Sequence, residues 1–286
     1  MEAEENVSWK RLKELLSYGW KLLVSALLET VYNNLRNLVI GKLYSSADLA
    51  YYNQGDKFPK LIVTNINTSI DSVLLPTMAS SQDDSARVKN MTRRAIKTST
   101  YIMAPLMIGL AFCSNTIVEL VLTEKWLPCV PFLQIFCITY MFQPVHTANL
   151  NAIKAMGKSD IFLKLEIIKK IVGMSLLLST MWFGVMAMAY SLLVSCVLSQ
   201  IINSWPNKRL LGYGYLEQLR DFMPGVILAV VMGICVYFIG YINLPNIIVL
   251  IIQVIVGATI YIVMPIVFKL ESFLYLWNMV KTYLKK

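Results

Sequence analysis

Ser25, Glu29, Tyr32, Asn33 and Arg36 sit at helical spacing inside an otherwise apolar run from Ser17 to Ile40. That spacing puts all five on one face of a helix, with Leu and Val on the other. An ionisable side chain near the centre of a bilayer costs roughly 2.5–3.5 kcal/mol on the insertion scale, so it faces a protein interior or a wet cavity. Glu29 and Arg36, with Lys21 nearer the start of the run, therefore have two readings. They form the wall of a path for a polar ligand, or a buried ion pair that only specifies packing.

A second apolar run repeats the pattern. Lys57, Thr64, Asn65, Thr68, Asp71 and Ser72 share a face, with Lys60 at its rim. A lone Ser or Thr in such a helix often bonds back to its own backbone. Asn65 and Asp71 ask for more, either water or a neighbouring helix. At about 1.5 Å per residue, Glu29 and Asp71 come to similar depths on antiparallel helices. Arg36 falls outward of both, near the level of Thr64 and Asn65. Two carboxylates in one wet site would share a proton, as a proton-coupled carrier requires.

A third stripe holds Gln143, His146, Thr147, Asn151 and Lys154. His146 is the only histidine, and its titration range suits proton coupling, although a histidine can equally just bond a neighbour. Beyond it, Lys154, Lys164, Lys169 and Lys170 gather around Glu166, with Glu166 and Lys170 at the (i, i+4) spacing of a local pair. Such lysines could grip a diphosphate as point charges, or simply mark the cytoplasmic side of the membrane. Nucleotide loops, nucleophile elbows and metal-ligand spacings are missing from the sequence, and the five cysteines are scattered. No catalytic residue, metal or cofactor is expected, and the chain reads as a transporter rather than an enzyme.

The elements that carry these stripes are membrane helices. Of the 286 residues, 57% are hydrophobic. With a mean hydropathy of +0.59, this is not the composition of a soluble domain. Stretches able to cross a bilayer are Ser17–Lys42, Phe58–Ala79, Ala95–Ser114, Val130–Ile153, Ile161–Met181, Val185–Asn203, Phe222–Tyr241 and Ile247–Phe268. The fold class expected is an all-α integral membrane protein with about eight transmembrane helices. Residues 1–16 read as a cytoplasmic amphipathic segment with a surface helix over Trp9–Tyr18. Residues 17–206 form six spans, 207–221 a cytoplasmic connection, 222–268 two nearly uncharged spans, and 269–286 a basic tail. Asn115–Pro131 is the largest outer loop, with Trp126 placed to anchor at the interface. Met1–Lys10 has no basic start or cleavage site, so no cleaved signal peptide is expected.

The net charge of +9 does not point to nucleic acid, because of where the charge lies. With both termini on one side, that side holds 20 of the 26 Lys and Arg residues, which places it in the cytoplasm and favours anionic lipid.

The run Asn34-Leu35-Arg36-Asn37-Leu38-Val39-Ile40-Gly41-Lys42, followed by Ala50-Tyr51-Tyr52-Asn53-Gln54-Gly55, resembles a known family. It is similar to the polysaccharide transport family of the multidrug/oligosaccharidyl-lipid/polysaccharide exporter superfamily, of the bacterial lipopolysaccharide, colanic acid and teichuronic acid exporter type. Asp71-Ser72-Val73-Leu74-Leu75-Pro76, Leu122-Thr123-Glu124-Lys125-Trp126 and the run from His146 to Gly157 extend the likeness over nearly the whole chain. The resemblance implies a flippase in the bacterial inner membrane that moves a lipid-linked oligosaccharide on a polyprenyl diphosphate by alternating access of two lobes. Glu29, Tyr32, Asn33, Arg36, Asn65, Thr68, Asp71, Gln143, His146 and Lys154 would then line the substrate cavity. Arg36 and the rim lysines would meet phosphate or acidic sugar, and Glu29, Asp71 or His146 would carry any coupling proton.

Family members have twelve to fourteen helices, whereas this chain resembles only the second lobe and the final pair. A separate first-lobe chain or a second copy is therefore an expected partner, besides membrane lipid. Alternatives are a multidrug or cation extruder of the same superfamily, against which Arg36 argues, and a non-transporting truncated assembly subunit. A membrane polymerase or ligase would need a large outer loop. Cysteines at Ser81 and Ser45 test the topology: Ser45 should label from outside intact cells and Ser81 should not, and the opposite pattern would invert the orientation.

Overall fold

The computed structural model describes residues 9–242, 244–267 and Lys281. Every regular element among them is helical. In chain order they are α1 (Trp9–Leu43), α2 (Ser46–Ala79), α3 (Ser85–Phe112), α4 (Ser114–Leu122), a 3-10 turn (Glu124–Cys129), α5 (Val130–Met141), α6 (Gln143–Ala155), α7 (Ser159–Thr180), α8 (Val185–Leu211), α9 (Tyr215–Ile239) and α10 (Asn246–Val267). Among the described residues, five segments are long and apolar enough to cross a bilayer: α3, residues 124–155, α8, α9 and α10. The chain is thus an all-α, multi-pass membrane protein. The other expected spans coincide with α1, α2 and α7, whose polar stripes hold them below that apolarity.

Several expected boundaries move. The surface helix over Trp9–Tyr18 and the first span are one continuous helix, since nothing between them but Gly19 weakens helical propensity. α2 starts well before Phe58, at a capping box in which Ser45 Oγ accepts from Asp48 N at 3.1 Å and Asp48 Oδ2 accepts from Ser45 N at 3.2 Å. The outer loop Asn115–Pro131 is mostly helical, as α4 and the 3-10 turn. Trp126 there packs edge-on against Tyr51, ring centres 5.9 Å apart. The fourth expected span is two helices that meet at Phe142, where Pro144 removes a backbone donor. The connection 207–221 shrinks to residues 212–214, because Gly212 adopts the left-handed conformation (φ 62°) that closes α8 within one residue. The expected basic tail lies outside the described residues apart from Lys281.

The largest core is built by α3, α5, α6 and α9, with Met103, Met107, Leu133, Ala148, Ala152 and Ala229 at its centre. α2 lies across α5 and α6, while α1 packs on α7 and α7 on α8. α9 is one-sided: its small residues let α3 approach, and Gly233 leaves no room for a Cβ beside Ile108 and Phe112 (2.6 Å). α10 touches α9 along one edge and turns Ile247, Ile251, Val254, Ile255 and Ile262 outward. Tyr101 and Tyr261 bind it to α3 by each donating to the other's carbonyl, at 3.2 and 2.8 Å.

At the end of the bundle near Gly212, α3 is clasped to α9. Arg93 bonds Asp221 (2.8 Å), Lys97 stands 3.3 Å from the same carboxylate, and Lys89 reaches the Gly212 carbonyl (2.8 Å). The Tyr213 hydroxyl donates to Asp221 at 2.8 Å. Burial, then that carboxylate, raises the Tyr213 phenol far above its ordinary range.

Two tests follow from this packing. Gly55 sits where α2 meets α5, and a Cβ there would stand 2.8 Å from Leu133 N. Gly55→Ala should push the helices apart and lower stability by about 1–3 kcal/mol. Gly19→Ala, which meets nothing within 4 Å, should not. Thermal unfolding in detergent reads both. Ser81 is buried, so exposed Gln82 is the better labelling site for the topology experiment.

Candidate functional site

α1, α2, α5, the start of α6 and Leu192 of α8 line an open cavity of about 390 Å³, within the range of small-molecule sites. Its wall carries Glu29, Arg36 and Asn37 of α1, and Asn53, Asp56, Lys60, Thr64, Asn67 and Thr68 of α2. Tyr140 and Gln143 come from the α5–α6 joint, and Tyr52, Phe136, Val63 and Leu192 supply apolar surface.

Arg36 is the most confined charge there, 4% exposed. Nη1 donates to the Met188 carbonyl of α8 and lies 3.4 Å from Ser191 Oγ. Nη2 is buried without a partner. Both partners are neutral, so no carboxylate balances the guanidinium among the described residues. The other charges on the wall are compensated. Glu29 pairs with Lys170 of α7. Asp56 Oδ1 accepts from Tyr140 Oη at 2.6 Å, and Asp56 Oδ2 stands 3.4 Å from Lys60 Nζ.

Of the residues singled out in the sequence, Glu29, Arg36, Lys60, Thr64, Thr68 and Gln143 line this cavity. Asn65 does not: it is exposed on another face of α2 and donates to its own Leu61 carbonyl at 2.9 Å. Asp71 accepts from Asn151 Nδ2 at 2.7 Å, and Asn67 accepts from Thr147 Oγ1 at 2.9 Å, so both join α2 to α6. Glu29 and Asp71 thus have separate partners and do not form the expected carboxylate pair. Glu166 takes Lys169, while Lys170 crosses to Glu29. Lys154 lies over the Phe162 ring, 4.8 Å from its centre. The side chains of Tyr32 and Asn33 lie outside the described residues.

His146 sits in a different place, a buried seam between α6 and α8. Its Nδ1 is 3.0 Å from Asn203 Nδ2, and Nε2 is 3.7 Å from Cys196 Sγ. Lower in the seam, Asn207 Nδ2 donates to Asn149 Oδ1 at 2.6 Å, and Gln218 of α9 exchanges two bonds with Asn149, at 2.7 and 2.9 Å. His146 faces Asn203 and Asn149 faces Asn207, so the two helices run parallel.

Asp56, Tyr140, Asn37, Asn53 and Asn67 were missed. The signal was present: Asn53, Asp56, Lys60, Thr64 and Asn67 recur at steps of three and four. Starting the second stripe at Lys57 instead of Asn53 rotated the face and admitted Asn65 in place of Asn67. Tyr140 carries no such mark, because only the packed bundle brings it to Asp56.

A family profile described as polysaccharide biosynthesis protein matches residues 2–131. An uncharacterized membrane protein in the cps region of Klebsiella pneumoniae is 23% identical over 89% of this chain and 54% of its own length. The teichuronic acid biosynthesis protein TuaB of Bacillus subtilis is 22% identical over 79% of this chain and 47% of its own. The lipopolysaccharide biosynthesis protein WzxC of Escherichia coli is 24% identical, over 77% and 46% respectively. The chain therefore spans about half the length of the curated relatives it matches. Among solved structures, the lipid II flippase MurJ in an inward closed conformation matches with a TM-score of 0.73 at 15% identity, over 92% of this chain and 56% of that one. That likeness establishes the fold.

The seam makes His146 a test case. His146→Ala leaves Asn203 without its partner in a dry interior, which costs about 1–3 kcal/mol. We expect a lower unfolding temperature for His146→Ala and Asn203→Ala alike, with an unchanged pH profile of transport. A shifted profile in folded His146→Ala would instead make His146 a proton carrier.

Proposed function

We propose that this chain, which is similar to polysaccharide biosynthesis proteins over residues 2–131, is one lobe of a flippase for a lipid-linked oligosaccharide. Residues 17–206 would form the six-span lobe and 222–268 a peripheral pair, with eight crossings and both ends in the cytoplasm of a bacterial inner membrane. A first-lobe chain or a second copy would close the cavity opposite α1 and α2, and the two halves would open alternately to either side. The substrate would hang from a polyprenyl diphosphate, with its glycan in the cavity and its chain in lipid. Glu29, Arg36, Thr68 and Gln143 would meet the glycan directly. Asp71 would fix α2 to α6 behind that wall, and His146 would fix α6 to α8.

One observation carries this reading: a buried guanidinium on the wall of a polar cavity, with no carboxylate to balance it. Holding such a charge away from water is costly unless an anion meets it. The cation-extruder alternative loses support on the same wall, because Glu29 and Asp56 both already have lysine partners.

Translocation of a fluorescent lipid-linked oligosaccharide in vesicles, with and without the partner lobe, tests the function. Arg36→Ala should abolish translocation while membrane insertion and abundance stay at the native level. Arg36→Lys should restore little, since the planar fork is lost. Normal export by well-folded Arg36→Ala would remove the ligand contact from the reading. Low abundance, rescued by Arg36→Met, would make Arg36 a packing residue.

A further inference from the structure

Away from the polar cavity, α3, α4, α9 and α10 border an open apolar groove of about 420 Å³. Along α10 it runs from Leu250 to Ile262, about 18 Å at about 1.5 Å per residue. Leu106, Val254 and Ile262 on its walls are exposed, so the groove opens to lipid. One leaflet of a hydrocarbon core is about 15 Å deep, so the groove has the length of a single acyl chain from one leaflet. A polyprenyl chain, several times longer, would leave most of itself outside.

One amide interrupts this apolar wall. Gln253 is 2% exposed, and its Nε2 donates to the Val236 carbonyl of α9 at 3.1 Å. A carbonyl near the end of a helix can only accept, which fixes which end of the amide is the oxygen. That oxygen, Oε1, is buried without a partner. Hydrocarbon has no donor to offer it, and a buried acceptor left unmet is costly.

Depth says where the missing donor belongs. α10 has 22 residues, about 33 Å, enough to cross the whole core. Gln253 lies about 10 Å inside its Asn246 end, and a helical side chain leans back by about one turn toward that end. The amide therefore sits about 5 Å below the membrane surface, beneath the head groups and among the first carbons of the chains. A donor at that level is carried by the chain itself.

We propose that the groove binds a hydroxyacyl lipid of the leaflet at the Asn246 end, the outer one in the topology proposed above. Its chain lies in the groove, and the chain hydroxyl donates to Gln253 Oε1. This requires only that the chain crosses a bilayer, and it is independent of the flippase reading.

Native mass spectrometry of the full chain in detergent tests this with two phosphatidylethanolamines, one carrying a 3-hydroxypalmitoyl chain and the other palmitoyl in its place. The hydroxylated lipid should bind about fivefold more tightly, the factor that one neutral hydrogen bond supplies. Gln253→Leu should bring it down to the palmitoyl level and leave the palmitoyl lipid unchanged. Ala258→Phe, which fills the groove from its exposed side, should weaken both. Equal binding of the two lipids, or no binding of either, overturns the proposal. So does a preference for the hydroxylated lipid that survives Gln253→Leu or Ala258→Phe. If Gln253→Leu does not fold, Ala258→Phe still decides. Displacement of the hydroxylated lipid by an equal or lower concentration of polyprenyl phosphate also overturns it. Vesicle translocation judges the flippase reading separately.

Discussion

Lipid supplies no hydrogen bonds, so every polar group within these helices must find its partner inside the chain. That constraint orders the whole bundle. Asn149, Asn207 and Gln218 are completely buried and bond one another, with Asn207 Oδ1 left unmatched, and these bonds fix α6, α8 and α9 together at one end. Asp221 gathers Arg93, Lys97 and Tyr213 and fixes α3 to α9 beside them. Asn67 and Asp71 tie α2 to α6 through Thr147 and Asn151. What remains unsatisfied stands out against this background: Arg36 Nη2 and both side-chain polar atoms of Gln200 are buried without a partner. Apolar packing alone would allow these helices to slide or rotate. Directional bonds choose one register, which is why the cavity has a defined wall.

Ion pairs across α1 and α7 complete that wall from behind. Lys21 meets Asp160, and Glu29 meets Lys170. The pairs hold α1 by its polar edge and leave the Leu23, Leu27 and Leu38 side open. Glu29 thereby has a double position, touching both the cavity and α7. A conformational change that moved α7 would alter the charge seen inside the cavity, with no titration required.

The class of fold was legible because hydropathy and charge asymmetry report on the bilayer directly, and the first stripe was legible because Glu29 and Arg36 are expensive in lipid. Joints were harder. The break at Phe142 depends on Pro144, but proline elsewhere, as at Pro105, sits within an unbroken helix, so composition alone does not locate a joint. Partners were hardest of all. His146, Asn151 and Lys154 share a sequence stripe with Gln143, yet only Gln143 reaches the cavity. Which neighbour satisfies a polar residue is decided by helices distant in sequence, as when Asn203 claims His146.

The outer polar stripe of α2 has a consequence of another kind. Asn65, Ser69, Ser72 and Thr77 each spend their hydrogen on a carbonyl one turn earlier in the same helix. Each hydroxyl hydrogen is spent within the helix, so the face asks little of whatever lies against it beyond the rest of the Asn65 amide and the hydroxyl lone pairs. Such a face acts as a low-friction bearing. Whatever lies against it can glide along α2 without breaking a bond, while the opposite face stays bolted to α5 and α6.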